Sequence, residues 1–216
     1  MDCGDHGDIW DADYRTKGDL YGGSPRSIPE FPCGAAVLEL GCGNGKTLSA
    51  LARQHLSVVA IDFSFCAAGL AREKVYPEPG PEITLADALR TPFRDHAFEV
   101  ITACHMLGHC TDSKRSAIIQ ELLRLLRPGG LIWFCDFSIR DFRYGTGRET
   151  EPGTFVRGNG IATHYFSEDE VRDLFNGLEP IFLQSDDWTL RVRGTHHPRS
   201  EISALFRRPA CVPEFF

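Results

Sequence analysis

The sequence predicts an α/β protein with a mostly parallel β-sheet and helices on both of its faces. Apolar runs that are typical of buried strands alternate with helix-like segments over residues 36–135. Glycines or acidic residues follow the first three runs, at the places where the strands would end. Such alternation gives parallel strands that helices cover on both faces. Ligands of these sheets bind beyond the carboxyl ends of the strands, so we expect a binding crevice there.

Strands are predicted from apolar runs, and helices from apolar residues at helical spacing. The expected bounds are about 36–41, 57–61, 82–86, 98–103, 131–135, 181–192 and 201–207 for the strands, and about 45–55 and 65–74 for the first two helices. The last two strands, separated by residues 194–199, should pair as an antiparallel hairpin. Residues 138–166 have five glycines, four arginines and little periodicity, which is typical of a lid or binding loop.

Two further helices are predicted from the residues at their ends. Asp112 or Ser113 caps the first helix, which a Pro-Gly-Gly sequence ends. Ser167 and Glu170 form a capping box at the start of the second helix, which stops near Gly177.

The glycine turn at residues 41–45 is the most informative segment, because glycine lets a ligand approach the backbone closely. A dinucleotide fingerprint would need a third glycine at position 46, which is Lys46. A phosphate-binding P-loop would need a glycine at position 40, which is Leu40. What remains is an acid, Glu39, followed by glycines at every second position. This spacing excludes an NAD-dependent oxidoreductase.

Acidic residues close the second and third predicted strands. Asp62 follows the glycine turn by about 20 residues, where a carboxylate can accept hydrogen bonds from both hydroxyls of a ribose. Asp87 can face the amine of an adenine, and Ala88 offers its backbone N–H. The alternative for both aspartates is an ordinary solvated or turn-forming residue. Glu39 either orients the glycine turn and its ligand or is satisfied by backbone donors alone.

Length and composition restrict the class of protein. The 216 residues, of which 42% are hydrophobic, fit one domain with at most an appendage. A net charge of −7 and a pI of about 5.6 argue against purely electrostatic binding of nucleic acid. No apolar run approaches the roughly 20 residues of a membrane span, and no signal peptide is recognised. The eight cysteines are scattered without a C-x-x-C pair, so we expect a cytoplasmic protein without a metal site.

Four motifs, in the usual order and spacing, resemble those of class I S-adenosylmethionine (SAM)-dependent methyltransferases. They are the acid and glycine turn at 39–45, the strand-two motif at 61–64, the D-A-x-x-x-P-F-x-D stretch that opens residues 87–100, and the L-L-R-P-G-G signature at 125–130. The resemblance implies a Rossmann-like, seven-stranded sheet that ends in an antiparallel hairpin. It also implies SAM as the methyl donor and S-adenosylhomocysteine as the product.

The resemblance further implies which residues bind the cofactor. The beginning of the chain is similar to the entry segment of small-molecule and tellurite-type methyltransferases, in which aromatic residues close over the methionine end. The Glu39 carboxylate can orient the glycine turn or meet the methionine ammonium. The predicted set is Tyr14, Tyr21, Glu39, Gly41, Cys42, Gly43, Gly45, Asp62, Phe63, Ser64, Asp87, Ala88, Cys104 and His105. We therefore expect residues 1–34 to form a lid over a methyltransferase domain at residues 35–216.

The C-terminal half is similar to that of tRNA 3-methylcytidine methyltransferases. The likeness includes residues 134–137, 155–160 and 165–166, but Cys135 and Ala162 stand where those enzymes have arginines. Because arginine binds phosphate in a bidentate fork, this loss favours a small-molecule acceptor. A tRNA acceptor, bound with the help of a partner protein, stays the alternative.

Methyl transfer needs a catalytic base only when the acceptor carries a proton that must leave. The candidate catalytic residues are His105, His109, Asp136 and His164, and the candidate acceptor contacts are Arg140, Arg157 and Tyr165. A SAM-binding protein that transfers nothing is the alternative from another functional class. The intact glycine turn and strand-two acid favour an enzyme.

Overall fold

The computed structural model describes residues 3–18, 27–75, 80–158 and 160–210. The strands in these ranges are β1 Ala36–Leu40, β2 Ser57–Asp62, β3 Glu82–Leu85, β4 Phe98–Cys104, β5 Leu126–Phe137, β6 Arg148–Glu151, β7 Thr154–Val156, β8 Ala162–His164, β9 Glu179–Val192 and β10 Thr195–Arg207. The α-helices are α1 Cys3–Lys17, α2 Lys46–Leu51, α3 Phe65–Lys74, α4 Asp112–Leu125 and α5 Glu168–Leu174.

Seven of the strands form one sheet in the order β3-β2-β1-β4-β5-β10-β9. β2 pairs in parallel with β1 and β3, whereas β10 pairs in antiparallel fashion with β5 and β9. The strand order reverses between β1 and β4, which is the place where open α/β sheets bind ligands. This architecture confirms the predicted α/β class, the mostly parallel seven-stranded sheet and the closing hairpin.

The chain divides into two compact units, Met1–Thr102 with Glu121–Arg127 and Ala103–Gln120 with Pro128–Phe216. The predicted division into a lid and one domain at residue 34 stays a prediction. In the described ranges, every helix is too short or too polar to cross a bilayer.

The first unit is built around β1 and α3. Val37, Leu38 and Leu40 of β1 are completely buried. The glycine turn packs closely against buried alanines of α3, which are small enough to allow it. A Cβ at Gly45 would lie only 3.1 Å from the Cα of Ala71. α1 also packs against α3. No helix was predicted for residues 3–17, because their Asp- and Gly-rich sequence lacks an apolar period.

The second unit contains a small sheet that was not predicted. Residues 138–166 were expected to form a long loop, but β6, β7 and β8 pair in antiparallel fashion in this segment. The loop prediction is wrong for these strands. Each has only three or four residues, too few to show a clear alternation.

The hairpin of β9 and β10 is longer than predicted. Its turn consists of Arg193 and Gly194, with φ values of 48° and 84°. Two successive residues with positive φ match the twist of paired strands. The predicted connection at 194–199 is therefore wrong, and His196 and His197 lie in β10 rather than in a turn.

Three other boundaries differ from the prediction. α2 ends at Leu51 rather than near residue 55. α4 already begins at Asp112, so Thr111 precedes the helix, and its carbonyl accepts a hydrogen bond from the N–H of Arg115 at 2.9 Å. Asp112 and Ser113 are thus not the cap. β5 includes the Pro-Gly-Gly sequence, because backbone hydrogen bonds join Gly129 and Gly130 to Arg208.

Candidate functional site

The glycine turn after β1 is held in place by the carboxylate that ends β2. Gly41, Gly43 and Gly45 all have positive φ values, which explains the need for glycine. Oδ2 of Asp62 accepts a hydrogen bond from the N–H of Gly43 at 2.8 Å, and Oδ1 accepts one from the N–H of Ser64 at 2.9 Å. Asp62 thereby fixes the geometry of two adjacent loops.

Burial raises the pKa of Asp62, against the hydrogen bonds from Ser64 and Gly43, which lower it. Each carboxylate oxygen has a second lone pair beyond the bond to the backbone. The carboxylate is therefore able to accept further hydrogen bonds from a ligand.

Three strand ends converge in the first unit, as the topology predicted. The N–H of Cys42 donates to the carbonyl of Ile61 at 3.0 Å, and the N–H of Ala86 donates to the carbonyl of Asp62 at 3.1 Å. The glycine turn, Asp62 and the Asp87–Ala88 turn are therefore neighbours. The exposed Asp87 accepts a hydrogen bond from the N–H of Leu89 at 2.9 Å, which forms the turn.

Apolar surface lies beside these polar groups. Phe63, directly after Asp62, is 47% exposed. Phe65 and Leu85 are also exposed, although both are large apolar residues. Glu39 and Cys42, in contrast, are buried, and burial raises the pKa of the Cys42 thiol, which keeps it protonated.

α1 contacts this site through Asp11 and Tyr14. The Ser64 hydroxyl, which caps α3, donates a hydrogen bond to Asp11, and the N–H of Cys66 donates to the same carboxylate at 3.2 Å. The hydroxyl of Tyr14 lies so near Gly43 that a Cβ there would approach it to 2.5 Å. Tyr14 thus reaches the predicted cofactor turn, while Tyr21 lies outside the described residues.

The second unit contains a cluster around His105, which follows β4. Nε2 of His105 lies 3.2 Å from Oε1 of Glu201, and Nδ1 lies 3.6 Å from Oδ1 of Asp136. The imidazole ring packs on Phe137 with 4.4 Å between the ring centroids. Burial lowers the pKa of His105, but Cys104 and the two carboxylates outweigh it and raise the pKa well above its usual value.

Asp136 is completely buried and accepts backbone hydrogen bonds. Its Oδ2 accepts from the N–H of Gly108 at 2.8 Å, and its Oδ1 from the N–H of Phe137 at 2.9 Å. Burial raises its pKa, but hydrogen bonding and charge from His105, with His109 and Gly108, bring the pKa below its usual value. The side chain is therefore a buried carboxylate.

The other two candidate histidines link structural elements. Nδ1 of His109 lies 2.7 Å from the carbonyl of Ala162 in β8. His164 is buried, and its ring nitrogens contact the Thr154 hydroxyl at 2.8 Å and Glu170 at 2.7 Å. Glu170 therefore uses its side chain on His164, while its N–H donates to the capping Ser167 hydroxyl at 3.1 Å as predicted. The catalytic roles of both histidines stay predictions.

A buried ion-pair cluster that the sequence did not reveal lies beside Phe137. The fully buried Asp141 accepts hydrogen bonds from Nε of Arg143 at 2.7 Å and from Nε of Arg199 at 2.6 Å. The Arg143 guanidinium also lies over the Phe137 ring, 3.9 Å from its centroid. Arg199 is 58 residues from Asp141 in sequence, and only the register of β10 brings it near.

Arg140 and Tyr165, two of the predicted acceptor contacts, differ in their exposure and in their partners. Arg140 is exposed and pairs with Asp187 at 2.8 Å. Tyr165 is buried among aromatic rings, and no described residue forms a hydrogen bond with its hydroxyl. Arg140 and Arg143 thus both have acidic partners, Asp187 and Asp141.

Comparison with known proteins identifies the class. Residues 37–130 match the methyltransferase domain family. The tRNA N(3)-methylcytidine methyltransferase Mettl2 of Drosophila melanogaster is 30% identical over 190 residues, which cover 81% of this chain and 58% of that enzyme. The chain spans about half the length of the curated relatives it matches.

Two solved structures share the fold. A SAM-dependent methyltransferase from Methanosarcina mazei has a TM-score of 0.72 and 23% identity, with 84% of this chain and 95% of that chain covered. The 1,6-didemethyltoxoflavin-N1-methyltransferase of Burkholderia thailandensis, solved with its acceptor and S-adenosylhomocysteine, has a TM-score of 0.68 and 16% identity, with 97% and 91% covered. The chain belongs to the class I SAM-dependent methyltransferases, and SAM is the cofactor of this family.

Proposed function

We propose that this chain transfers the methyl group of SAM to N3 of a cytidine in tRNA. The observation that carries the proposal is the likeness to the Drosophila enzyme, which extends far beyond the methyltransferase domain match to 81% of the chain. Cys135 and Ala162 alone favour a small-molecule acceptor, with tRNA as the alternative. The names of the relatives support that alternative.

In this proposal, SAM lies at the strand ends of the first unit. The Asp62 carboxylate accepts hydrogen bonds from the ribose hydroxyls, as its position beside the glycine turn favours. The exposed ring of Phe63 packs against the adenine, whose edge faces Asp87 and Ala88. We also propose that Cys104 and His105 contact the cofactor.

The proposed reaction needs no catalytic base. N3 of a neutral cytosine carries a lone pair and no proton, and it attacks the methyl carbon in line with the sulfonium. The carbon–sulfur bond breaks as the nitrogen–carbon bond forms, and the sulfur keeps the electron pair of the broken bond. The products are S-adenosylhomocysteine and a cationic 3-methylcytosine. Such a reaction relies on positioning and exclusion of water, and it suits histidines that are already engaged in hydrogen bonds.

We further propose that residues 1–34 close over the methionine end of SAM. The position of the Tyr14 hydroxyl against Gly43 supports this role. Trypsin should cleave after Arg15 and Lys17 more slowly in the presence of S-adenosylhomocysteine. Equal rates with and without the ligand would contradict a lid.

A small-molecule acceptor is the second candidate. Cys135 and Ala162 stand where the resemblance to the tRNA-modifying enzymes implies arginines, and Arg140 and Arg143 are paired with acidic residues. The similar fold of the Burkholderia enzyme, which was solved with bound 1,6-didemethyltoxoflavin, fits this candidate. If tRNA is the acceptor, these features favour the need for a partner protein.

The test is to incubate the purified chain with methyl-labelled SAM and either total tRNA or a small-metabolite extract. Digestion of the tRNA and mass spectrometry should find the label in 3-methylcytidine, and Asp62→Ala should reduce it about tenfold to a hundredfold at low SAM concentration. The partner hypothesis is tested by adding a cell lysate that has been depleted of SAM. The tRNA proposal would be overturned if label appears in the metabolite fraction and none appears in tRNA, both without and with the added lysate.

A further inference from the structure

We propose that Cys104, His105 and Cys135, with Glu201 as the fourth ligand, bind a zinc ion in the second unit. This proposal departs from the expectation of a chain without a metal site. That expectation was based on the scattered positions of the cysteines in the sequence. The fold, however, brings two of these thiols to one imidazole.

The backbone explains how the three residues meet. Cys104 ends β4, Cys135 lies in β5, and the N–H of His105 donates to the carbonyl of Cys135 at 2.8 Å. His105 has a φ of 51°, in the left-handed region that non-glycine residues rarely adopt. Backbone strain of this kind is often found at functional sites. The two sulfur atoms and one ring nitrogen all lie within 4.8 Å of one another.

These separations suit a tetrahedral zinc ion. With bonds of about 2.0–2.3 Å to the ion, its ligand atoms lie about 3.3–3.8 Å apart. The two oxygens of the Glu201 carboxylate lie at similar distances, Oε1 at 3.2 Å from Nε2 of His105 and Oε2 at 3.7 Å from Sγ of Cys135. The Cys104 thiol lies within 4.8 Å of the other two ligand atoms of the group.

The surroundings of the histidine also resemble those of a metal ligand. A zinc-bound imidazole usually directs its other nitrogen to a carboxylate, which fixes the orientation of the ring. Nδ1 of His105 faces Asp136, and Nε2 lies on the side of Glu201. Nε2 is therefore the ligand atom, and Asp136 orients the ring.

The donor set points to zinc rather than to a hard cation. Two thiolates and an imidazole prefer zinc or copper(I), whereas magnesium and calcium prefer oxygen. Four ligands from the protein leave no open position, which is typical of a structural site. Cys104 and His105 are partly exposed, so an ion can reach the cluster from solvent. A zinc-bound His105 would not be available as a catalytic base.

Zinc binding is tested by titrating the metal-free, reduced chain with zinc against a chromophoric chelator. The wild type should bind one equivalent, and Cys104→Ser and His105→Ala should weaken binding at least about a hundredfold, more than the loss of an outer-shell partner. Cys110→Ser is the matched control, because Cys110 is also partly buried but lies outside the group. It should keep the wild-type affinity.

Cobalt substitution provides a second readout that needs no variant. Wild-type chain with one cobalt should show the visible bands of a tetrahedral ion and a thiolate-to-cobalt charge-transfer band. The absence of that band would overturn the proposal, as would equal zinc affinity in Cys104→Ser and the wild type. Both readouts are independent of methyl transfer, so their failure leaves the proposed function untouched.

Discussion

The carboxylate of Asp62 accepts a hydrogen bond from the backbone N–H of Gly43 at 2.8 Å. This contact ties the end of β2 to the glycine turn after β1. The Tyr14 hydroxyl lies close to the same glycine, so α1 also contacts the turn. The predicted cofactor turn is therefore a fixed element of the first unit.

Gly43→Ala should lower the free energy of unfolding more than Gly34→Ala. Both glycines have positive φ, but a Cβ at Gly43 would lie 2.5 Å from the Tyr14 hydroxyl, whereas Gly34 has open space around it. Alanine in the left-handed region costs about 1–2 kcal/mol in either case. Urea unfolding of both variants measures the difference. Tyr14→Phe should recover part of the loss in Gly43→Ala and none in Gly34→Ala, and equal losses in both glycine variants would contradict the crowding.

Asp141→Asn should destabilise the chain far more than Asp187→Asn. Asp141 is fully buried between Arg143 and Arg199, and removing its charge leaves two partly buried guanidinium groups without their anion. A loss of this kind costs about 3–5 kcal/mol. Asp187 forms an exposed pair with Arg140, which contributes about 0–1 kcal/mol. Denaturant unfolding should separate the two variants, and a similar small loss in both would show that the buried cluster is not important for stability.

Stability should decrease in acid partly through Glu121. Hydrogen bonds from Arg124, and then from Thr91, lower the pKa of Glu121 from 4.5 to about 2. The carboxylate therefore contributes its full stabilisation above about pH 4.5 and loses it as the pH falls toward 2. Glu121→Gln should cost about 1.5–3 kcal/mol at neutral pH and progressively less in this window.

Unfolding free energies of the wild type and Glu121→Gln, measured from pH 7 to 2, check this prediction. The exposed Glu82 offers a matched control, Glu82→Gln, whose difference from the wild type should stay small throughout. A difference for Glu121→Gln that does not change with pH would contradict the linkage.

The sequence was sufficient to predict the ends of β1, β2 and β3, because apolar runs followed by glycine or aspartate identify them directly. It was not sufficient for α1, whose residues lack an apolar period and which packs on α3. The strands β6 to β8 are too short to give a pattern. The contacts of Glu201 with His105 and Cys135 were beyond reach, because they depend on how β10 pairs with β5.

The central claim, that SAM binds at the strand ends of the first unit, is tested most directly by calorimetry with S-adenosylhomocysteine. We expect the wild type to bind it, to bind NADH and ATP far more weakly, and to lose about tenfold to a hundredfold in affinity in Asp62→Ala, which corresponds to about 1–3 kcal/mol. Glu82→Ala, an exposed acid at the opposite end of β3, should bind like the wild type. Unchanged affinity in a folded Asp62→Ala, or comparable binding of NADH or ATP, would contradict the account.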